Sequence, residues 1–442
     1  MVAARGVLSN ALGHLTEAHE MEGSILPVPH SRAGWRCWNR VLGVGGTLVS
    51  LLVACDGGNA LFDDVSVRDS SGIRVVEFGV GARAATGTWR LASQPDIALD
   101  NREDNALFQF FRVVDVLPLP DGGLAVANAG TSEIRIFNAE GQYVRTVGRS
   151  GEGPGEFRSI SWIALRPPDS IVAGDIRLRR ITVFDGRGNY VRTATTLGSS
   201  RDDTRAALAA PEPLGLFGDA SFLAVSYDGP AAVAGPARPA ARLLHYTPDA
   251  TSSDLLGSWP GNELYLLGDG ARLGVFTPPF QRITRFVVGS EQFWIGDSDR
   301  WELRSYSPTG QLLTLVRRAG GDVTVTDALL ERVINERYRD VADGPDRAQM
   351  VARQKQMVRH ATTPSFGDLQ IGTDGRLWVG AYPLPGDTTV LWTGIDPDGT
   401  LTAYGTVPRR FQVLRFGSDF VIVLIRDHLE RESIRLYSMV GQ

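Results

Sequence analysis

Cysteine is nearly missing from this chain. Cys37 and Cys55 are the only two in 442 residues, so no disulfide framework can hold the fold, and stability has to come from an apolar core. Lysine is scarcer still. Lys355 is the sole one among 45 Lys and Arg residues, a bias that fits GC-rich coding better than a nucleic-acid site. There is no basic run, and the net charge of −5 has the wrong sign for a phosphate backbone. Beyond residue 54 only His245, His360 and His428 remain, in unrelated contexts and without metal-ligand spacing. A Gly-x-Ser-x-Gly elbow and a catalytic cysteine are also lacking.

Hydrophobic residues make up 43% of the chain and charged residues 21%, enough apolar mass for a globular core. That mass is arranged as a repeat. Ile134–Phe157 reads IRIFNAEGQYVRTVGRSGEGPGEF: a β-branched run, turn chemistry at Asn138–Gly141, a second run and a glycine-rich loop. The hairpin phrase returns from Ile181, Leu243, Leu303 and Thr393, and a last copy from Ile434 stops before its second strand. Each copy follows a strand led by a polar turn, as in DGGLAVAN from Asp121, and an apolar strand stands before that. The unit is therefore four antiparallel strands, A to D, repeated six times. This predicts an all-β, six-bladed β-propeller.

The sixth unit lacks strand D. The run Ile73–Phe78 has no unit of its own, and we expect it beside Ile434–Met439, closing the ring and covering an open edge. Gly79–Asn105 then reads as a crossover on one face. Residues 326–360 leave the β pattern. Leu329, Leu330, Val333, Ile334 and Tyr338 recur at helical spacing behind Asp327, a candidate N-cap, and a second helical run follows Gly344-Pro345. This predicts an α-helical hairpin inserted between blades four and five, serving as a cover or as a docking element.

The leader gives the address. Arg32, Arg36 and Arg40 precede the uncharged run Val41–Ala54, which is too short to span a membrane but suits a signal peptide. It ends in Leu52-Val53-Ala54-Cys55, a bacterial lipobox pattern in which the Cys55 thiol accepts the acyl group. Residues 1–54 are thus expected to be a lipoprotein signal with an N-terminal extension, 55–71 a flexible tether and 72–442 the propeller. The expected place is the bacterial cell envelope, with the lipid as the only membrane contact.

Strand direction alternates within a blade. The B–C loops and D-to-A connections therefore share one face, and that face is expected to be the working one. At equivalent B–C positions it carries Asn128, Asp175, Asp228, Asp297 and Asp427, either as a binding ring or as side chains that fix turns. Asp115, Arg285, Asp368 and Gln412 are the channel-facing candidates on strands A. Two carboxylates there could hold a divalent metal or work as acid and base. The Gly151–Phe157 loop lacks the Lys-Ser/Thr ending of a phosphate loop and reads as a reversal between blades, with Phe157 as a plug.

The recurring strand–Asp/Asn–turn–strand phrase, with GRSGEGPGEF after its first copy, resembles the NHL-type six-bladed propellers. It is most similar to uncharacterised bacterial lipoprotein propellers with such loops. The resemblance runs from Ile73 to the C-terminus and implies a ligand- or protein-binding platform outside the cytoplasm, without implying a reaction; we expect a monomer that binds a protein, peptide or glycan and needs no cofactor. Related metal-dependent lyases and lactone hydrolases suggest an alternative in the channel. The lyases' histidine ligands have no match here, and Asp115 and Asp368 match the lactonase cluster only in part.

Overall fold

A computed structural model describes residues 65–79, 82, 87–196, 211–229, 233–268 and 274–441. Strands dominate it. One four-stranded sheet joins Val113–Pro118, Leu124–Asn128, Glu133–Phe137 and Tyr143–Val147 in sequence order. A second joins Ile160–Arg166, Ser170–Asp175, Arg180–Phe184 and Tyr190–Thr195. A third joins Glu212–Leu216, Phe222–Tyr227, Ala240–Tyr246 and Ser253–Pro260. Further sheets begin at Thr284, Asp368 and Phe411. The innermost strands of these six units touch one another in cyclic order, and Phe411–Phe416 returns to Val113–Pro118.

The alternation of side chains makes this ring. Both faces of each sheet are covered by neighbouring blades, so the central strands are apolar on both sides, as in Leu124–Asn128, where every residue is buried. Six apolar clusters fill the six seams. One holds Phe217, Leu223, Phe293 and Ile295 between blades three and four. Another packs Trp89, Trp378, Phe416 and Val423 between blades five and six. The Trp378 and Phe416 rings are stacked there at 4.4 Å, an arrangement that adds to simple burial.

The outer hairpins repeat one device. Asn138 Oδ1 accepts from Gln142 N at 2.8 Å, Asp185 Oδ1 from Asn189 N at 2.8 Å, and Ser307 Oγ from Gln311 N at 3.1 Å. In each of these turns a glycine takes the left-handed conformation, with φ of +73° at Gly141, +86° at Gly188 and +85° at Gly310. That conformation costs glycine least.

Ring closure differs from the expectation. Ile73–Phe78 does not lie beside Ile434–Met439. It pairs in parallel with Leu312–Arg318 at the outer edge of blade four, where Val76 faces Val316. The strand that completes blade six is Ile97–Leu99, inside the segment expected to be a crossover; Leu99 pairs with Ile434 and Ile97 with Leu436. Between them Thr88–Leu91 joins two blades, parallel to Leu401–Pro408 and antiparallel to the end of Glu432–Gly441. The N-terminal segment is thus a belt along blades four, five and six. Ser66–Ser70, expected in the tether, is itself a strand paired with Ile73–Phe78. Cys55 and the leader lie outside the described residues.

Two helices occupy the stretch between blades four and five: α1, Asp327–Arg337, and α2, Pro345–Gln356. The N-cap of α1 is Thr326, whose hydroxyl accepts from Leu329 N at 3.2 Å, one residue before the expected Asp327. Phe280, Val325 and Leu329 form the small core beneath α1. Blade three carries a further feature: its B–C loop contributes Gly235–Ala237 to a three-stranded sheet with Leu264–Leu267 and Gly274–Phe276.

Candidate functional site

The two ends of the blades differ. The A–B and C–D ends are closed by short turns, whereas the other end carries the helices, the three-stranded insertion and the long blade-to-blade connections. The five B–C residues all stand at this end, but they do not converge. Asn128 is fully buried; its Oδ1 accepts from Phe111 N at 2.9 Å and its Nδ2 donates to Thr131 Oγ1 at 2.8 Å. Asp175, also fully buried, accepts from four backbone amides, those of Arg158, Ser159, Arg177 and Leu178, at 2.8 to 3.1 Å. Asp228 is paired with Arg242, Asp297 with Arg238 at 3.1 Å, and Asp427 with Arg431 at 2.7 Å. Each carboxylate or amide is spent on its own turn or on a neighbouring guanidinium.

The channel candidates are likewise divided. Inner-strand bulges between Val113 and Asp115 and between Val413 and Arg415 re-aim the side chains that follow. Arg415 Nη2 then donates to both Asp115 oxygens, at 2.8 and 2.7 Å, and to the Ile163 carbonyl at 3.1 Å. One guanidinium so ties blades six, one and two together. Asp368 is held instead by Arg285 Nε at 3.2 Å, and Gln412 Oε1 accepts from Arg426 at 2.9 Å. The two carboxylates considered as a metal pair are therefore in separate ion pairs. Among the described residues no three His, Cys, Asp or Glu side chains are grouped to hold a metal ion.

Two groups missed at the sequence level lie near the loop-bearing end of the inner strands. The Glu212 carboxyl is raised by burial, against the opposing pull of Arg179 at 3.3 Å. The Tyr227 phenol is pushed up to about 12, by burial first and by Glu212 next, with Arg285 opposing.

Two hollows sit where α1 meets blades four and five. One, of about 330 Å³, is lined by Val333, Glu336, Arg337, Arg339, Tyr382 and Arg409, among others. A second, of about 190 Å³, is lined by Thr277, Gln281, Ile283, Arg285, Arg337, Pro364, Phe366, Gly367 and Tyr382. Arg337 and Tyr382 border both. Burial raises the Tyr382 phenol, and Arg337, Arg282 and Arg409 oppose that. The phenol therefore stays a donor at neutral pH.

The base of the helical hairpin is pinned beside these hollows. His360 Nε2 lies 3.0 and 2.9 Å from the two oxygens of buried Glu263, and Arg282 N donates to Glu263 Oε2 at 3.0 Å. His360 was visible in the sequence, but nothing local to it pointed to a partner 97 positions away. The Gly151–Phe157 loop works as a joint. Glu156 accepts from Gly153 N at 2.8 Å, Arg180 donates to the carbonyls of Glu152, Gly153 and Glu156, and Phe157 is fully buried in the seam between blades one and two.

Comparison with known proteins bears on the fold. A family described as "6-bladed beta-propeller" matches residues 97–198, a stretch that starts on the closing strand Ile97–Leu99 and runs through blades one and two. The chain is a mostly-β protein with the architecture of a six-bladed β-propeller. No curated protein matches it. Among solved structures, a protein from Bacteroides fragilis described as exported is 12% identical, covers 83% of this chain and 99% of its own, and gives a TM-score of 0.44. A member of the DUF4221 family from Bacteroides vulgatus is 8% identical, with 80% and 98% covered and a TM-score of 0.46. A gluconolactonase from Xanthomonas campestris is 10% identical, with 80% and 98% covered and a TM-score of 0.39. At such TM-scores none of them says what this chain binds or does.

Proposed function

We propose that this protein is a lipid-anchored binding module of the bacterial envelope that presents its loop-bearing face to a protein, peptide or glycan. It acts as a monomer and is not an enzyme that needs a metal in its channel. The observation that carries the reading is the asymmetry of the two ends. One is trimmed to short turns, while the other carries α1, α2, the blade-three insertion and both hollows. Long insertions on a rigid ring are where recognition is built. The repeat form and the GEGPGEF joint support a kinship with NHL-type lipoprotein propellers, and the Leu52–Cys55 pattern supports the anchor. Among the described residues no helix is long and apolar enough to cross a membrane.

Two measurements test this. Replacing Cys55 by Ser is expected to abolish metabolic lipid labelling and to release the protein from the membrane fraction; retention of both would refute the anchor. Ligands selected from peptide and glycan arrays with the full chain in detergent are expected to lose binding when Arg339, lining the hollow of about 330 Å³, and Arg410, in the connection between Leu401–Pro408 of blade five and Phe411–Phe416 of blade six, are changed to Glu. They are expected to keep it when Glu140 and Arg187, on turns at the opposite end, are reversed. The opposite pattern would show that the wrong face has been chosen.

A further inference from the structure

The hollow between α1 and the inner strands of blades four and five has a lining with two guanidiniums, from Arg285 and Arg337, and no carboxylate. Arg337 is the unusual one. Its hydrogen bonds go to the carbonyls of Thr277 at 3.0 Å and Pro278 at 3.4 Å and to Gln354 Oε1 at 2.9 Å. All three acceptors are neutral, so they orient the guanidinium without cancelling its charge. Arg285 is shared with Asp368 at 3.2 Å, and both side chains of that pair are about two-fifths exposed. Such a pair is loosely held and leaves Arg285 able to turn toward a second anion. Behind the wall, between the lining residues Gln281 and Ile283, stands Arg282. It is only 3% exposed and is already engaged, by Asp299 at 3.2 Å and the Thr362 carbonyl at 2.8 Å, with Nη1 left without a hydrogen-bond partner. The remaining lining divides into donors, Tyr382 and Thr277, and apolar surface from Ile283, Pro364 and Phe366.

Buried or half-buried cations are normally matched by anions. Arg282 and Arg285 have such a match in Asp299 and Asp368, but Arg337 faces only neutral acceptors, beside a cavity of about 190 Å³, room for roughly six waters at ~30 Å³ each. Guanidinium groups bind planar carboxylates through paired N–H donors. We infer that this hollow is a binding site for a small organic monocarboxylate, its anion set against Arg337 and Arg285 and its apolar part against Phe366, Ile283 and Pro364. The inference rests on the reading of the loop-bearing face as the working one, and it names the ligand class for one part of it.

The pair benzoate and benzamide, equal in shape and different in charge, tests it by calorimetry or saturation-transfer NMR on the full chain in detergent. Benzoate is expected to bind, and benzamide to bind at least ten-fold more weakly. Arg337→Gln is expected to weaken benzoate at least ten-fold, and Arg285→Gln and Tyr382→Phe several-fold each. Arg149→Gln, at the joint between blades one and two, should change nothing. Because Arg337 also fastens α1, the thermal midpoint is followed; if Arg337→Gln lowers it, the Arg285 and Tyr382 variants decide. Equal binding of the acid and the amide, or no benzoate binding by the unaltered protein, overturns the site. If an array ligand still binds the face while Arg337→Gln and Arg285→Gln leave it untouched, the carboxylate site falls and the platform reading stands.

Discussion

Single side chains in this protein spend their polarity on geometry. Asp249, in the outer turn of blade three, shows the pattern at its clearest. Its Oδ1 accepts from Thr247 Oγ1 at 2.8 Å, Thr251 N at 3.1 Å and Thr251 Oγ1 at 2.9 Å. The Thr247 bond, then those from Thr251, favour the ionised form and hold the carboxyl at about 2. The sign follows directly. A depressed folded value means that the unfolded chain takes up the proton first, so the turn's stabilisation is present above the ordinary value near 3.8 and fades as pH falls toward 2. Asp249→Asn is therefore expected to lower the urea midpoint at pH 6, to converge with the unaltered protein near pH 2, and to flatten the acid limb between. Parallel curves over that range would show that the turn does not hold the charge. Glu212 runs the other way. Its raised carboxyl destabilises the fold above its folded value, and that cost is relieved on acidification.

At the scale of elements, the belt decides whether the ring is closed. Leu99 is fully buried and sits with Phe108, Phe137, Leu424 and Ile434 in the seam between blades six and one. Truncating a buried leucine leaves a cavity as well as lost contact, and Leu99→Ala is expected to cost about 3 kcal/mol. Removing residues 66–79 takes a hairpin from the outer edge of blade four and leaves the closing strand in place, so that variant is expected to fold with a lower midpoint. Removing residues 66–101 also takes Ile97–Leu99, and is expected to give insoluble or molten protein by near-UV circular dichroism and dye binding. A well-folded product would show that the ring closes without it. The repeated hairpins were legible because Asn138, Asp185 and Ser307 each carry their turn chemistry within five residues. The belt was not. Ile73–Phe78 is a strong strand by composition, but β propensity says that a stretch will pair and not which edge it will find. Ile97–Leu99 has three residues between Pro95 and Asp100, too short to leave a period in the sequence. The carboxylates misled for a related reason. That Asp115 and Asp368 are each claimed by an arginine depends on inner-strand bulges and on blades far apart in the chain.

The whole molecule is a cycle of like parts, and a cycle has no end from which to fray. The inner strands touch from blade one round to blade six and back, and each of the six seams has its own buried cluster, contributed by two blades. No blade can lose its packing without exposing the faces of two others. This differs from an open solenoid, where repeats at the ends loosen first. Unfolding is thus expected to be a single transition despite the size of the chain. Tryptophans report from separate places: Trp162 in blade two, Trp294 in blade four and Trp378 in blade five. Their combined fluorescence and far-UV circular dichroism should give coincident midpoints in urea. In the Leu99→Ala variant both probes should move together, because a weakened seam lowers the stability of the entire circle. Fluorescence and circular dichroism midpoints that separate, or a fluorescence curve with two steps, would show that the blades are independent and that closure by Ile97–Leu99 does not couple them.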